Sequence, residues 1–473
     1  MPKSTQHLII CGALAVLVFA LILSQTPPAG LTTHGVRVLG LLGFTIILWA
    51  SEVISSAATS FLVFILIPLL GILPLDQAIS TLGSETVWQL IGIYIISSTI
   101  VKFRLDRRLA YNLLRLSRGD PSLVSLVFIL TTVLFTFLVP APVGKVALLL
   151  PIAAQCFNVL ELSPTSNTRR ATYFGLGSVS LISGVAILTG CPATLYAAQL
   201  IGSEVGQNWT YGYWFLLFFP PIFLISLLTW PLLLIMYPPE KRGPAEKATF
   251  MAFLQERIDE LGPLSNDEKR LILVLGVMIG LWATGGYLHS LPVTLVCLIA
   301  ATALFLPGIE LTSWEEASSD IGWPIILVFT AGLSLTRGLT QTGAATWLGN
   351  QIGIILGGLD SVWAGAAAFV LLNLLRLTFT TPTAYVAAFL PVAFAAAGSL
   401  ALNPAWLGGL TAIAAHTAVL YPMQSMTLLT AYTESPLTPR EVFVTGSAFT
   451  LLTIVVTLLT AFFYWPHFGL LLK

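Results

Sequence analysis

The feature that most limits this chain is a series of apolar runs, each about 20 residues long, the length of helix that crosses a hydrocarbon core about 30 Å thick. They lie near 8–24, 36–50, 53–73, 85–101, 171–201, 211–237, 271–289, 291–307, 323–340, 405–433 and 440–465. Two more stretches, about 121–160 and 361–400, are equally apolar but are broken in the middle. Each is either two spans with a tight turn or a re-entrant helical hairpin whose tip stays inside the bilayer. Hydropathy alone does not choose, because both arrangements put the flanks on one side. Only 9% of the residues are charged, 56% are hydrophobic and mean hydropathy is +0.90. Soluble domains carry about 25% charged residues, so the chain reads as an all-α polytopic membrane protein. Net charge is zero, which implies no nucleic-acid partner. Cys11, Cys156, Cys191 and Cys297 show no paired spacing, so neither a disulfide framework nor a metal site is expected, and no cofactor is implied. The first run ends in Ser-Gln-Thr-Pro-Pro-Ala-Gly rather than in an A-x-A signal, so it reads as a retained span.

Basic residues orient the spans. Lys102, Arg104, Arg107, Arg108, Arg115 and Arg118 precede the first broken stretch, and Arg169 and Arg170 follow it. Lys241, Arg242, Lys247, Arg257, Lys269 and Arg270 fill the polar segment 238–270. With a cytoplasmic N-terminus all three clusters fall inside, in an inner or plasma membrane, as the positive-inside rule requires. The loops at 25–35, 202–210 and 290 hold no Lys or Arg and fall outside. The expected organisation is N-terminal scaffold helices over 1–84, a first repeat over 85–237, and a solvated cytoplasmic linker over 238–270. Further scaffold helices over 271–322 and a second repeat over 323–473 follow.

The repeats rest on landmarks in one order. Trp88 and Lys102 match Trp323 and Arg337, each pair fourteen residues apart. Leu150-Pro151-Ile152-Ala153 matches Leu390-Pro391-Val392-Ala393, which sets Pro142 opposite Pro382. Cys191-Pro192-Ala193-Thr194 matches Tyr421-Pro422-Met423-Gln424. By the span count, the Trp88 and Trp323 helices enter from opposite sides. Inverted repeats with helices broken in corresponding places are the pattern of a secondary transporter with a site near the bilayer midplane.

Broken helices free backbone groups at membrane depth, and these survive only where protein or a watery cavity satisfies them. Half-helix N-termini present bare N–H donors and partial positive charge, which suit an anion. The candidate substrate site is therefore Pro142, Val143, Gly144 and Lys145 at the first tip and Cys191, Pro192 and Thr194 at the break after it. Arg376, Thr380, Thr381, Pro382 and Thr383 belong to the second tip, and Pro422 and Gln424 to the second break. Thr378, Thr380, Thr381 and Thr383 are expected to hydrogen-bond substrate rather than their own backbone. His416, beside the second break, reads as a helix–helix hydrogen bonder, with proton carriage as the other reading. Lys102 and Arg337, at span ends, read as interfacial anchors.

The stretch "LWASEVISSAATSFLVFILIPLLGILP", with its Trp-x-x-Glu and Pro-Leu-x-Gly elements, resembles the divalent anion:sodium symporter family. So do the paired Leu-Pro motifs with a tip ten residues before each proline. The family's tips usually read Ser-Asn-Thr and its later breaks Thr-Pro-Pro-Asn. Here the tips are Ala141-Pro142-Val143 and Thr381-Pro382-Thr383, and the breaks Cys-Pro-Ala-Thr and Tyr-Pro-Met-Gln. The resemblance implies an elevator-type transporter, usually a homodimer, that carries di- or tricarboxylates or sulfate, with two sodium ions beside the tips in sodium-driven members. The tip residues here depart from that pattern, while Lys145 and Arg376 fall near mid-membrane, where each costs about 2.5–3.5 kcal/mol on insertion scales. Glu52, the one acid in the nearby spans, is expected at a cytoplasmic helix end. The two cations are read as tethered charges in a shared central chamber, replacing the sodium ions and attracting a small organic anion. That makes sodium-independent exchange or uniport the leading expectation. A sodium-coupled symporter is the alternative, and an anion channel a more remote one. No H-E-x-x-H, P-loop or paired intramembrane aspartate is present, so no enzyme is expected.

Overall fold

The computed structural model describes residues 5–51, 53–206, 209–417 and 419–473, and its regular elements are helices. The order is α1 (Thr5–Leu23), α2 (Thr33–Ser51), α3 (Ser56–Leu69), a short α4 (Leu75–Ile79), α5 (Glu85–Lys102) and α6 (Leu105–Leu114). A helical pair, α7 (Pro121–Phe135) and α8 (Pro142–Val159), is followed by a broken one, α9 (Asn167–Ile182) and α10 (Pro192–Val205). Then come α11 (Tyr211–Met236), α12 (Pro244–Glu260), α13 (Asn266–Thr284), α14 (Val293–Ala303), α15 (Trp314–Ser319), α16 (Trp323–Gln341) and α17 (Ala344–Leu356). A second pair, α18 (Ser361–Arg376) and α19 (Pro382–Ser399), leads to a second broken helix, α20 (Pro404–Ala414) and α21 (Met426–Thr433), and to α22 (Pro439–Leu459). Each half thus runs through single helix, helical pair, broken helix and single helix in the same order. Among the described residues, α8, α11, α16, α19 and the stretch 439–468 are long and apolar enough to cross a bilayer unaided; other apolar helices are shorter or belong to bent pairs.

Proline starts these helices more often than it breaks them. Pro121, Pro142, Pro192, Pro382, Pro404 and Pro439 all open their helices. There the ring's fixed φ suits the helix and the missing N–H would have had no partner. The two tips therefore escape the roughly 3 kcal/mol cost of an interior proline. Pro151 and Pro391 are interior, at the same place in α8 and α19, as are Pro68 of α3 and Pro220, Pro221 and Pro231 of α11.

Three segments depart from the sequence reading. The basic stretch after Lys102 is not a loop: 105–117 is helical and bends 64° away from 75–102, with Arg104 in the left-handed region (φ 54°) between them. The segment 238–270 is not a solvated linker throughout. Its α12 buries Phe250 and Leu254 completely in a cluster with Val146, Leu149, Leu150 and Phe157 of α8. Lys247 of α12 pairs with Asp120, the N-cap of α7, at 2.8 Å. Arg108 of α6 grips Glu268 at 3.0 Å and the Leu261 and Gly262 carbonyls at 3.0 and 2.9 Å. A polar composition hid these few apolar anchors.

The third departure is α17, which no apolar run marked. It turns 120° before α18 and lies along α19, where glycines let the backbones touch. A Cβ on Gly349 would stand 2.5 Å from Ala395 Cβ, whereas one on Gly398 would meet nothing within 4 Å. Gly349→Ala is expected to destabilise the protein by about 1–3 kcal/mol through overpacking, while Gly398→Ala leaves stability unchanged or raised. Thermal unfolding of the two purified variants checks this.

The N-terminus of α9 is closed by a distant acid. Glu240 accepts hydrogen bonds from the Asn167 amide (2.6 Å) and from the Thr168 amide (3.2 Å) and hydroxyl (2.6 Å). Burial pushes the Glu240 carboxyl up, but the Thr168 hydroxyl and the backbone amides outweigh it and hold it below the ordinary range. A depressed carboxyl contributes its stabilisation above its ordinary pKa and loses it as pH falls through the folded value. Glu240→Ala is therefore expected to cost about 1 kcal/mol near pH 7, with the difference from wild type beginning to close near pH ~4 and vanishing only below the depressed folded value. Melting curves across that range test it.

Candidate functional site

The first tip is tied to the first break by a lysine. Lys145 lies in the first turn of α8, fully buried, and its Nζ donates to Thr136 Oγ1 and Ser183 Oγ, both at 2.8 Å. Thr136 ends α7, and Ser183 opens the 3-10 turn Ser183–Val185 where α9 stops. Ser180 Oγ adds a 2.6 Å bond to the Pro142 carbonyl. The tip itself stays accessible, with Val143 39% exposed.

The second tip meets the second break through an arginine. Arg376 closes α18, also fully buried, and its Nε donates to the Ala415 carbonyl at 2.6 Å. Nη1 donates to the Phe379 carbonyl, and the guanidinium lies 6.0 Å from the Tyr385 ring centroid. Nη2 is buried and has no hydrogen-bond partner among the described residues. The Tyr421 hydroxyl donates to the Leu377 carbonyl at 2.8 Å, a second tie between tip and break. Among the described residues neither Lys145 nor Arg376 forms an ion pair.

A thiol–imidazole contact joins the two breaks. His416 Nδ1 is 2.8 Å from the Ala412 carbonyl, which can only accept, so the ring proton sits on Nδ1. Nε2 is then an acceptor, 3.0 Å from Cys191 Sγ, and the thiol donates to it. Thr194 donates to the Gly184 carbonyl at 2.8 Å. A Cβ on Gly184 would stand 3.3 Å from both Cys191 Sγ and His416 Cδ2, so these chains need the glycine to come this close. His416 is accordingly a helix–helix hydrogen bonder, as its position suggested.

The structure therefore links Pro142, Lys145, Cys191, Thr194 and Arg376 in one run of contacts. It does not surround the two cations with one open chamber. Each sits in packed protein at its own break, and the 730 Å³ cavity elsewhere in the fold is lined by neither. Val143 and Gly144 occupy the first turn of α8, and Thr383 that of α19, where N–H groups lack intrahelical partners. The threonine cluster divides. Thr381 caps α19 through the Ala384 amide at 3.4 Å, Thr380 reaches the Trp49 carbonyl of α2 at 3.4 Å, and Thr378 bonds back to the Leu375 carbonyl at 2.8 Å. The expectation that Thr378 reserves its hydroxyl for substrate is thus corrected: an exposed helix-end threonine finds its own carbonyl nearest. Pro192 and Pro422 open the segments after the breaks. Gln424 is fully buried, its Oε1 accepting from the Leu420 amide at 2.7 Å and its Nε2 without a partner among the described residues. Glu52 lies outside the described residues. Thr136, Ser180, Ser183 and the Ala415 carbonyl carried no sequence signal, because a hydroxyl in an apolar run and a backbone oxygen look ordinary until a buried cation meets them. Lys102, paired with Glu316 at 2.5 Å, ends α5, and Arg337, donating to Ser80 Oγ at 2.8 Å, lies a turn inside α16; both are exposed.

Paired and broken apolar helices of this kind, several long enough to cross a bilayer, define a multi-pass membrane protein. The chain belongs to the family described as the sodium:sulfate symporter transmembrane region, which it matches over residues 6–471. It is 24% identical to the sodium-dependent dicarboxylate transporter SdcS of Staphylococcus saprophyticus, over 95% of this chain and 90% of that protein. A Cupriavidus necator protein known only as a membrane protein is 25% identical over 99% of this chain and 94% of its own length. The solved structure of Neisseria gonorrhoeae MtrF, presented with a class of antimetabolite efflux pumps, aligns with TM-score 0.50 and 13% identity over 98% of this chain and 94% of that one. That last likeness is one of fold.

Cys191→Ala leaves the His416 acceptor unmet in a dry site, a loss of about 1–3 kcal/mol, whereas Cys191→Ser keeps a donor there and is expected to lose less. Equal losses in unfolding experiments on the two variants would remove the thiol–imidazole bond from the stability of the breaks.

Proposed function

We propose that this protein carries a small organic anion, a di- or tricarboxylate first, by alternating access, with Lys145 and Arg376 acting as tethered positive charges in place of sodium ions. The observation that carries the reading is that, among the described residues, both cations are buried without a carboxylate partner and Arg376 Nη2 has no acceptor. An unmet buried donor costs about 1–3 kcal/mol, more when charged, and a bound carboxylate would relieve it. The oxygens that a mobile cation would use at these breaks, the Ala415 and Phe379 carbonyls and the Thr136 and Ser183 hydroxyls, already hold the side-chain cations.

Charge balance then selects both cargo and mode. Two fixed positive charges, each packed at its own break, are balanced in net charge by one dianion held at the open N-termini of α8 and α19. The loaded carrier crosses nearly neutral, whereas the empty one crosses with two uncompensated charges. Return without cargo is thereby disfavoured, and exchange follows. The remaining features of the reading are inverted repeats, elevator movement of the hairpins against the scaffold helices, a homodimer and a cytoplasmic N-terminus.

A second reading, sodium-coupled uptake of a dicarboxylate or sulfate-like anion, is favoured by the name of the Staphylococcus relative. In proteoliposomes, internal unlabelled succinate is expected to accelerate uptake of labelled succinate equally in sodium and in potassium buffers. Lys145→Ala and Arg376→Gln are each expected to slow that exchange by about tenfold or more, the size of one lost charge-assisted contact. Uptake that requires sodium and survives Lys145→Ala establishes the second reading instead. Leakage with no acceleration by internal substrate points to a channel.

A further inference from the structure

A cavity of about 730 Å³ lies away from both tips and from Lys145 and Arg376, and reaches the first break only through Leu188. It is bounded by the first turns of α5, α11 and α14 and the last turns of α10 and α13, all at one face of the helical body. A volume of this order is that of an ordinary small-molecule site. Its walls are built. Thr86 donates to Gln199 Oε1 at 2.7 Å, tying α5 to α10, and Thr294 donates to Gln89 Oε1 at 3.1 Å, tying α14 to α5. Gln89 is buried, and its Nε2 has no partner among the described residues. Tyr211 and Trp282 stack with centroids 5.3 Å apart, and Trp209 adds a third ring.

The charge of this cavity is opposite to what an anion pathway needs. Among the described residues Glu85 is its one charged lining residue, and no lysine, arginine or histidine lines it. Glu204, exposed in the last turn of α10 beside the lining residue Ser203, adds a second carboxylate nearby. A carboxylate rim repels anions and draws cations, and tryptophan and tyrosine faces attract ammonium groups within about 6 Å.

We infer that this cavity is a binding site for a small organic ammonium ion with an aromatic or apolar body. Glu85 is its counter-charge, Trp209, Tyr211 and Trp282 form its apolar wall, and the Gln89 amide is a donor to an acceptor on the ligand. The site takes a different chemical class from the anion bound at the tips. Its occupant lies between α10, the second half of the first broken helix, and α5, α13 and α14.

The test is binding to the full-length purified protein, read by fluorine NMR with two probes of similar shape. 4-Fluorophenethylammonium is expected to bind saturably and at least about tenfold more tightly than 4-fluorophenylacetate, the ratio that one ion pair plus ring contacts supplies. Glu85→Gln is expected to reduce that preference to less than about threefold, Glu85→Asp to keep it, and the cavity-filling Ser203→Trp to abolish saturable binding. Lys145→Ala is expected to leave ammonium binding unchanged, so failure of the anion reading and failure of this one are told apart. Equal binding of the two probes by the wild-type protein, tighter binding of the acetate, or ammonium binding that survives both Glu85→Gln and Ser203→Trp overturns the assignment. The wild-type comparison decides even where a variant does not fold.

Discussion

The organisation of this protein rests on two buried cations placed where helices stop inside the fold, Arg376 on carbonyls freed there and Lys145 on hydroxyls beside the stop. A helix that ends in a nonpolar surround leaves carbonyls without partners, and nonpolar side chains cannot supply them. Arg376 meets the Ala415 and Phe379 carbonyls, and Lys145 meets the Thr136 and Ser183 hydroxyls. Each cation belongs to a hairpin and each set of partners includes the broken helix that follows it. The same contacts therefore hold the breaks open and bind tip to break. The Cys191–His416 bond closes the chain between the two halves.

Placing charge there carries an energetic cost. A fully buried guanidinium or ammonium without a carboxylate is costly unless an anion completes it. Among the described residues that cost is spread over backbone oxygens, hydroxyls and the Tyr385 ring, with no acid in the contacts. Carboxylates are found instead at the ends of helices, as in the pairs Arg108–Glu268, Lys247–Asp120 and Lys102–Glu316. The 730 Å³ cavity follows the same partition, since its charge comes from Glu85 at the first turn of a helix.

Much of the fold was legible from spacing. The runs at 85–101, 211–237 and 323–340 agree with α5, α11 and α16 within a few residues, and Pro142 and Pro382 open α8 and α19 where the Leu-Pro landmarks put the tips. The breaks at Pro192 and Pro422 were equally visible, since a proline in the middle of an apolar run has few structural readings. Invisible were α17 and α12. The glycines of α17 dilute its hydropathy because they exist to let it touch α19, and α12 packs through Phe250 and Leu254 amid charged neighbours. At the site, the ionised residues could be named from the sequence but not their partners. A threonine or a serine in an apolar run is usually bonded to its own helix, and only the approach of another chain segment gives it a second role.

By itself the sequence determined the solvent: so few charges and so many apolar runs leave helices crossing a bilayer as the consistent fold. It also determined where those helices must stop, because proline and glycine act through the local backbone. Only the tertiary structure decided what the stops are for. Whether Lys145 and Arg376 face lipid, water or freed oxygens depends on residues 9 to 39 positions away in the chain, and Cys191 meets His416 across 225. Such contacts are set by how helices pack, and local pattern carries no record of that packing.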